Sequence, residues 1–149
     1  HFAKHDHPPT LTETRNAVRQ IRLSKAMLIV EGDEDCRSAG SFFKNPVFQR
    51  EDFENLCYRA AGRGVQPPRF VAANGKVKVP AAWLVEQSGF QKGYTRGAVG
   101  ISKRHALAIV NRGGATAAEV VALKDEIQKR VAEEFGVALV PEPVMVGFE

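Results

Sequence analysis

The sequence predicts an α+β fold, a small mixed or antiparallel sheet packed with helices. Three observations carry this expectation. Helical and strand-like patterns follow one another without strict alternation, which disfavours a doubly wound sheet. Asn74-Gly75, the strongest hairpin-turn dipeptide in the chain, stands before the alternating Val77-Lys78-Val79. Two hydroxyl–carboxylate pairs, Thr10/Glu13 and Thr116/Glu119, have the capping-box spacing that opens helices. With 149 residues and 44% hydrophobic content, the chain suits one ordinary domain with a real core.

The elements follow in order. Residues 1–10 form a polar lead-in ending in Pro8-Pro9, and a helix opens after Thr10 and runs to about residue 25. Its apolar face is Leu11, Ala17, Val18 and Ile21. A short apolar run at 27–30 precedes a polar loop carrying Asp33, Glu34 and Asp35. Val47-Phe48 reads as a strand. Residues 51–61 read as a helix with Phe53, Leu56, Cys57 and Ala60 inward, stopped by Gly62 and Gly64. Pro80 suits the first position of a short helix over 81–87, which Gly89 ends. Trp83 is expected in the core. Residues 93–100 are glycine-rich, and residues 106–111 read as a buried strand broken by Gly113-Gly114. After Thr116 a long helix presents Val120, Leu123, Ile127, Val131 and Phe135 as one stripe, closed by Gly136. A final strand is expected over 137–140, running into Pro141-Glu142-Pro143.

Composition excludes several classes. No run approaches the roughly 18 apolar residues of a membrane span, and the polar, histidine-rich N-terminus is not a signal peptide. The net charge of +4 suits anionic ligands, but Lys and Arg are scattered among acids and form no basic block with interleaved aromatics, so no nucleic-acid partner is expected. Cys36 and Cys57 make neither a C-x-x-C pair nor a disulfide framework, and free thiols in a reducing cytoplasm are expected. His1, His5, Asp6 and His7 are metal-capable, yet a polar terminus gives no frame for a tight site, so no metal is expected. Walker, dinucleotide and Gly-x-Ser-x-Gly fingerprints are absent.

The richest candidate is Ser38-Ala39-Gly40-Ser41-Phe42-Phe43-Lys44-Asn45-Pro46. Gly40 allows close backbone approach to a ligand, and Ser41 and Asn45 can converge on one small molecule if the chain turns. Composition by itself favours an ordinary turn, because Ser, Gly, Asn and Pro all favour turns. His105, beside Lys103 and Arg104, reads either as a strand-edge histidine or as a group facing a phosphate. Glu142, between two prolines, reads either as a loop acid or as a rigidly held carboxylate.

Four segments taken together resemble the UDP-N-acetylenolpyruvoylglucosamine reductase family. They are the stretch 38–46, Ala81-Ala82-Trp83-Leu84-Val85-Glu86-Gln87-Ser88-Gly89-Phe90, His105-Ala106-Leu107-Ala108-Ile109-Val110-Asn111 followed by Ala115-Thr116-Ala117, and Leu139-Val140-Pro141-Glu142. They occur in the family's order and span about residues 15–147. The resemblance implies a C-terminal fragment: residues 1–24 as the tail of an upstream flavin-binding domain and its connecting helix, 25–137 as the substrate-binding domain, and 138–149 as a strand returning toward the flavin domain. The first residue, His1 instead of methionine, agrees with a piece of a longer chain.

The resemblance also implies the chemistry. The family reduces UDP-N-acetylglucosamine enolpyruvate to UDP-N-acetylmuramate with NADPH as hydride source and FAD as carrier, for peptidoglycan precursor synthesis in the cytoplasm. FAD would be held mainly by the upstream domain, which also supplies an arginine partner. The motif serine, Ser41 here, would donate a proton to the carbon alpha to the carboxylate, and Glu142 would stabilise or protonate the enol-like intermediate. Lys25, Asn45 and His105 would contact the diphosphate. A monomer is expected. Two positions depart from some members: Val144 stands where an arginine follows the glutamate by two residues, and Phe70 is the nearest candidate for a tyrosine before the Asn-Gly turn. The alternative drawn from charge alone is a stand-alone nucleotide- or RNA-binding module without catalysis.

Overall fold

The computed structural model describes residues 7–147, which hold four α-helices and two antiparallel sheets. His1, His5 and Asp6 of the N-terminal cluster, and residues 148 and 149 of the expected last strand, lie outside the described residues.

Helix α1 spans Leu11–Ser24, and its Thr10/Glu13 capping box is complete, with each side chain meeting the other residue's backbone N–H. Helix α2 (Arg50–Ala61) buries Phe53, Leu56 and Ala60, while Cys57 is half-buried. Helix α3 (Ala81–Gln87) spans the residues expected, with Pro80 as its N-cap just before the first turn. Helix α4 (Ala117–Phe135) carries the second capping box and ends at Gly136, whose φ of +69° is the left-handed conformation a glycine takes without strain. Its Leu123, Ile127, Val131 and Phe135 are buried, and Val120 packs on the same core from a half-buried position.

Two antiparallel sheets replace the single sheet expected. The larger has the order β1-β7-β6-β5, from Ser38–Ser41, Ala108–Asn111, Val99–Ile101 and Thr95–Arg96. The smaller has the order β2-β4-β3, from Val47–Phe48, Val77–Lys78 and Phe70–Val71. Asn74-Gly75 does make the β3–β4 hairpin, with φ of +58° and +71° at the two positions. The glycine-rich segment is itself a hairpin, β5–β6, which the sequence did not reveal as one. Helix α4 packs on β6 and β7 and on α2 and α3, so the core lies under one long helix. Trp83 is half-buried, its ring 5.4 Å from that of Phe135.

Two expectations are corrected, on α1 and on the final strand. The apolar face of α1 is not a core face: Ala17 is buried, but Leu11 is 91% exposed and Val18, Ile21 and Leu23 are all exposed. Periodicity reports that one face is apolar, not that this chain provides the surface it packs on. The apolar run 27–30 is an irregular loop with Ile29 exposed. The final strand over 137–140 is reduced to extended chain held by one bridge, Phe43 opposite Pro141. Val137 and Leu139 are buried there, so the run reflects burial without a ladder.

The fully buried Ile127 sits at the middle of the α4 stripe. Ile127→Ala should lower the stability of this chain by about 2–5 kcal/mol in urea denaturation. A loss far smaller would mean that α4 does not organise the core.

Candidate active site

The stretch 38–46 is not a turn. Its first part is the edge strand β1, antiparallel to β7, with Ser38 opposite Val110 and Ser41 opposite Ala108. Three steps along β1 therefore match two along β7, so β1 carries an extra residue. Gly40, with φ +81°, takes the left-handed conformation inside this bulge. Bulges bend a strand and re-aim the next side chain. Here that side chain is Ser41.

Beyond Ser41 the chain runs between two neighbours. The Phe42 N–H donates to the Leu107 carbonyl at 2.9 Å, and the Lys44 N–H donates to the Val140 carbonyl at 2.9 Å. The Glu142 N–H donates to the Phe42 carbonyl at 3.0 Å. Phe42 and Phe43 are both buried and anchor this crossing. The C-terminal segment is thus tied to the residue next to Ser41, and Glu142, exposed to solvent, stands on that segment.

His105 comes from the tight loop between β6 and β7. Its Nε2 lies 3.4 Å from Ser41 Oγ. Its Nδ1 accepts the Leu107 N–H at 3.0 Å. An acceptor at Nδ1 leaves the proton on Nε2, so the ring is a donor toward the serine. The imidazole pKa is held below its ordinary value of 6.5, first because burial penalises the cation and then because of the Lys25 charge, with Lys92 adding to it and a bond to its own backbone opposing. Lys25 caps α1, and Lys92 follows α3. Both are exposed, and among the described residues neither is in an ion pair. Two cations beside a serine and a neutral histidine suit an anionic ligand.

Asn45 does structural work as well. Its side-chain carbonyl accepts the Ala81 N–H at 2.8 Å, satisfying a donor at the start of α3 and leaving the exposed amide NH2 as a donor to solvent. Phe70 lies half-exposed on the edge strand β3, and Val144 is 86% exposed two residues past Glu142. His7, the described member of the histidine cluster, is exposed, and no metal-binding group of three ligands occurs among the described residues. No helix among them is long and apolar enough to cross a membrane.

The sequence did not reveal what holds the His105 loop. Asp35 is 4% exposed. Its Oδ2 accepts Ser102 Oγ at 3.0 Å and the Lys103 N–H at 2.7 Å, and Oδ1 stands 3.7 Å from the Arg112 guanidinium. Arg104 bridges Asp33 and the Leu23 carbonyl at the end of α1. That guanidinium, and next the Asp35 N–H, hold the Asp33 carboxyl below its ordinary value. Asp35 was one acid among three in a polar loop, and nothing in its spacing marks a partner 67 residues away.

Residues 32–146 match the model of the UDP-N-acetylenolpyruvoylglucosamine reductase C-terminal domain. The chain belongs to this reductase family. It is 49% identical over 140 residues to a UDP-N-acetylenolpyruvoylglucosamine reductase of Thermobifida fusca, covering 92% of this chain and 39% of the relative. It is 47% identical to that of Streptomyces coelicolor (92% and 37%) and 46% identical to that of Mycolicibacterium gilvum (89% and 38%). The chain spans about two fifths of the length of these relatives. The α+β fold agrees with the reductase C-terminal domain, and the named relatives do not favour a non-catalytic RNA-binding module.

In this reductase domain, Asp35→Asn should cost about 3–5 kcal/mol of stability, because it strips the largely buried Arg112 side chain of its counter-charge. NMR spectra should show His105 shifting in the same variant, and a silent His105 would uncouple the network from the site. In the unaltered chain the His105 ring should titrate below 6.5. The sign follows: between 6.5 and that lower value the unfolded chain takes up a proton that folded His105 refuses, so stability falls on acidification. His105→Gln should remove this part of the acid sensitivity.

Proposed function

We propose that this chain is the substrate-binding part of a UDP-N-acetylenolpyruvoylglucosamine reductase, which converts UDP-N-acetylglucosamine enolpyruvate to UDP-N-acetylmuramate at the expense of NADPH. The observation that carries the reading is the crossing at Phe42 and Phe43, where a bulge-aimed Ser41 gathers His105 from one side and the Glu142 segment from the other.

Ser41 is proposed as the proton donor. Hydride addition to an enolpyruvyl double bond leaves a carbanion alpha to a carboxylate, and that carbon needs a proton. An alcohol is a feeble acid in water and serves only when held against the carbanion and kept from bulk solvent. Ser41 sits at a fixed, half-buried strand end, which supports that role. Glu142, on a segment fixed through its own N–H, is proposed to stabilise or protonate the enol-like intermediate. Lys25 and the Asn45 amide NH2 are proposed to grip the diphosphate. His105, whose Nε2 lies 3.4 Å from Ser41 Oγ, is proposed to act through Ser41 in place of the expected diphosphate contact.

The flavin is a different matter. In the glycine-rich β5–β6 hairpin a Cβ at Gly100 would strike the Tyr94 carbonyl and the Arg112 side chain, so that glycine serves packing within the domain itself. We assign FAD mainly to an upstream domain, with the domain division at 24 and 137. Reduced flavin supplies the hydride chemistry when bound there, and this chain supplies the proton and the grip on substrate. We place the work in the cytoplasm, as a monomer. The free thiols of Cys36 and Cys57 agree with a reducing compartment.

In the complete reductase, Ser41→Ala should leave flavin reduction by NADPH intact and slow flavin reoxidation by the enolpyruvyl sugar nucleotide by about 10²–10⁴-fold. Stopped-flow absorbance separates the two half-reactions. Unchanged reoxidation would remove Ser41 from the donor role.

A further inference from the structure

We propose that His105 is a positioning residue for Ser41: its Nε2–H orients the serine hydroxyl and then holds the negative oxygen left when that hydroxyl gives up its proton. The proposal rests on the reading of Ser41 as proton donor, and it departs from a diphosphate role for His105.

The geometry supports it from both ends of the ring. The Leu107 N–H on Nδ1 at 3.0 Å fixes which nitrogen carries the proton, and Nε2 then faces Ser41 Oγ at 3.4 Å. That contact is long, as catalytic hydrogen bonds often are before substrate arrives. A serine oxygen that accepts from His105 keeps its own O–H free to point elsewhere, since a hydroxyl has one proton and two lone pairs. The ring cannot turn away easily. The His105 carbonyl accepts the Ala108 N–H at 3.1 Å, and Ala108 is the β7 partner of Ser41. Upstream, the Lys103 N–H is tied to Asp35 and the Arg104 N–H to Ser102 Oγ.

The step balances without a charged imidazole. The Ser41 Oγ–H bond breaks, and the carbanion electron pair, formed by hydride from reduced flavin, makes the new C–H bond. The negative charge stays on Oγ, where the Nε2–H bond strengthens, and water returns the proton. A second ring proton would have to sit on Nδ1, against the Leu107 N–H. Burial, Lys25 and Lys92 oppose that protonation as well.

The test uses His105→Ala and His105→Gln in the complete reductase, with single-turnover flavin reoxidation and substrate Kd measured separately, and ¹⁵N NMR of the ring in this chain. The proposal expects reoxidation to slow about 10–100-fold in the alanine variant, as loss of an orienting partner does. Substrate Kd and flavin reduction by NADPH should be unchanged, and glutamine, which keeps an N–H donor, should recover most of the rate. The ring should carry its proton on Nε2, and its ¹⁵N signals should move in Ser41→Ala. A weaker Kd with normal reoxidation would return His105 to the diphosphate and overturn the proposal, as would a proton on Nδ1. If Ser41→Ala stops reoxidation while His105→Ala does not, His105 alone falls. If Ser41→Ala also leaves it unchanged, the donor reading falls first.

Discussion

A carboxylate taken almost wholly out of water sits behind the site. Asp35 is 4% exposed, and an isolated carboxylate so placed would carry a desolvation penalty of several kcal/mol. It is kept there by a hydroxyl, a backbone N–H and a guanidinium from Ser102, Lys103 and Arg112. Arg112 in turn donates to the Ile101 carbonyl at 3.0 Å, so one cation pins Asp35 and the end of β6 together. The loop from Ser102 to His105 has little freedom left, and the position of the His105 ring follows from it. Gly100 belongs to the same constraint, because any side chain there would occupy the space of Arg112.

This dependence explains which parts of the molecule were legible in the sequence. Helix α4 was readable because its stripe, its capping box and its terminal glycine each act within a few residues of chain. The β3–β4 hairpin was readable for the same reason, since Asn74-Gly75 alone dictates the turn. The β1 edge strand was hidden by residues that favour turns. Its conformation is imposed by pairing with β7, and the glycine that looked like a turn signal serves a bulge within a strand. The run 137–140 misled in the opposite sense: its alternate side chains are buried as in a strand, but its backbone pairs at one position.

The candidate site divides along the same line. Ser41, Asn45, His105 and Glu142 were singled out by local chemistry and then by resemblance. Their mutual placement was not visible, because it depends on contacts such as the one between Ser41 and His105, 64 residues apart. Asn45 shows how a local reading can be incomplete. The residue looked like a ligand contact, yet its carbonyl is committed to the first turn of α3, so half of its hydrogen-bonding capacity serves the fold. The committed half fixes where the other half can point.

Charge gives the last step. The net charge of +4 says that anions are welcome somewhere, but several of the cations that produce it are answered by acids nearby. Arg104 is held by Asp33, Arg96 by Glu126, Arg63 by Glu134 and Lys103 by Glu34. Exposed pairs of this kind add about 0–1 kcal/mol each to stability, and their larger effect is to cancel field. Lys25 and Lys92 are different, because the charge they project reaches His105 and lowers its proton affinity. Burial lowers that affinity first and the two cations add to it, so an anion attracted to Lys25 and Lys92 would meet a histidine that already resists protonation. The tautomer that faces Ser41 has a separate origin, the Leu107 N–H on Nδ1.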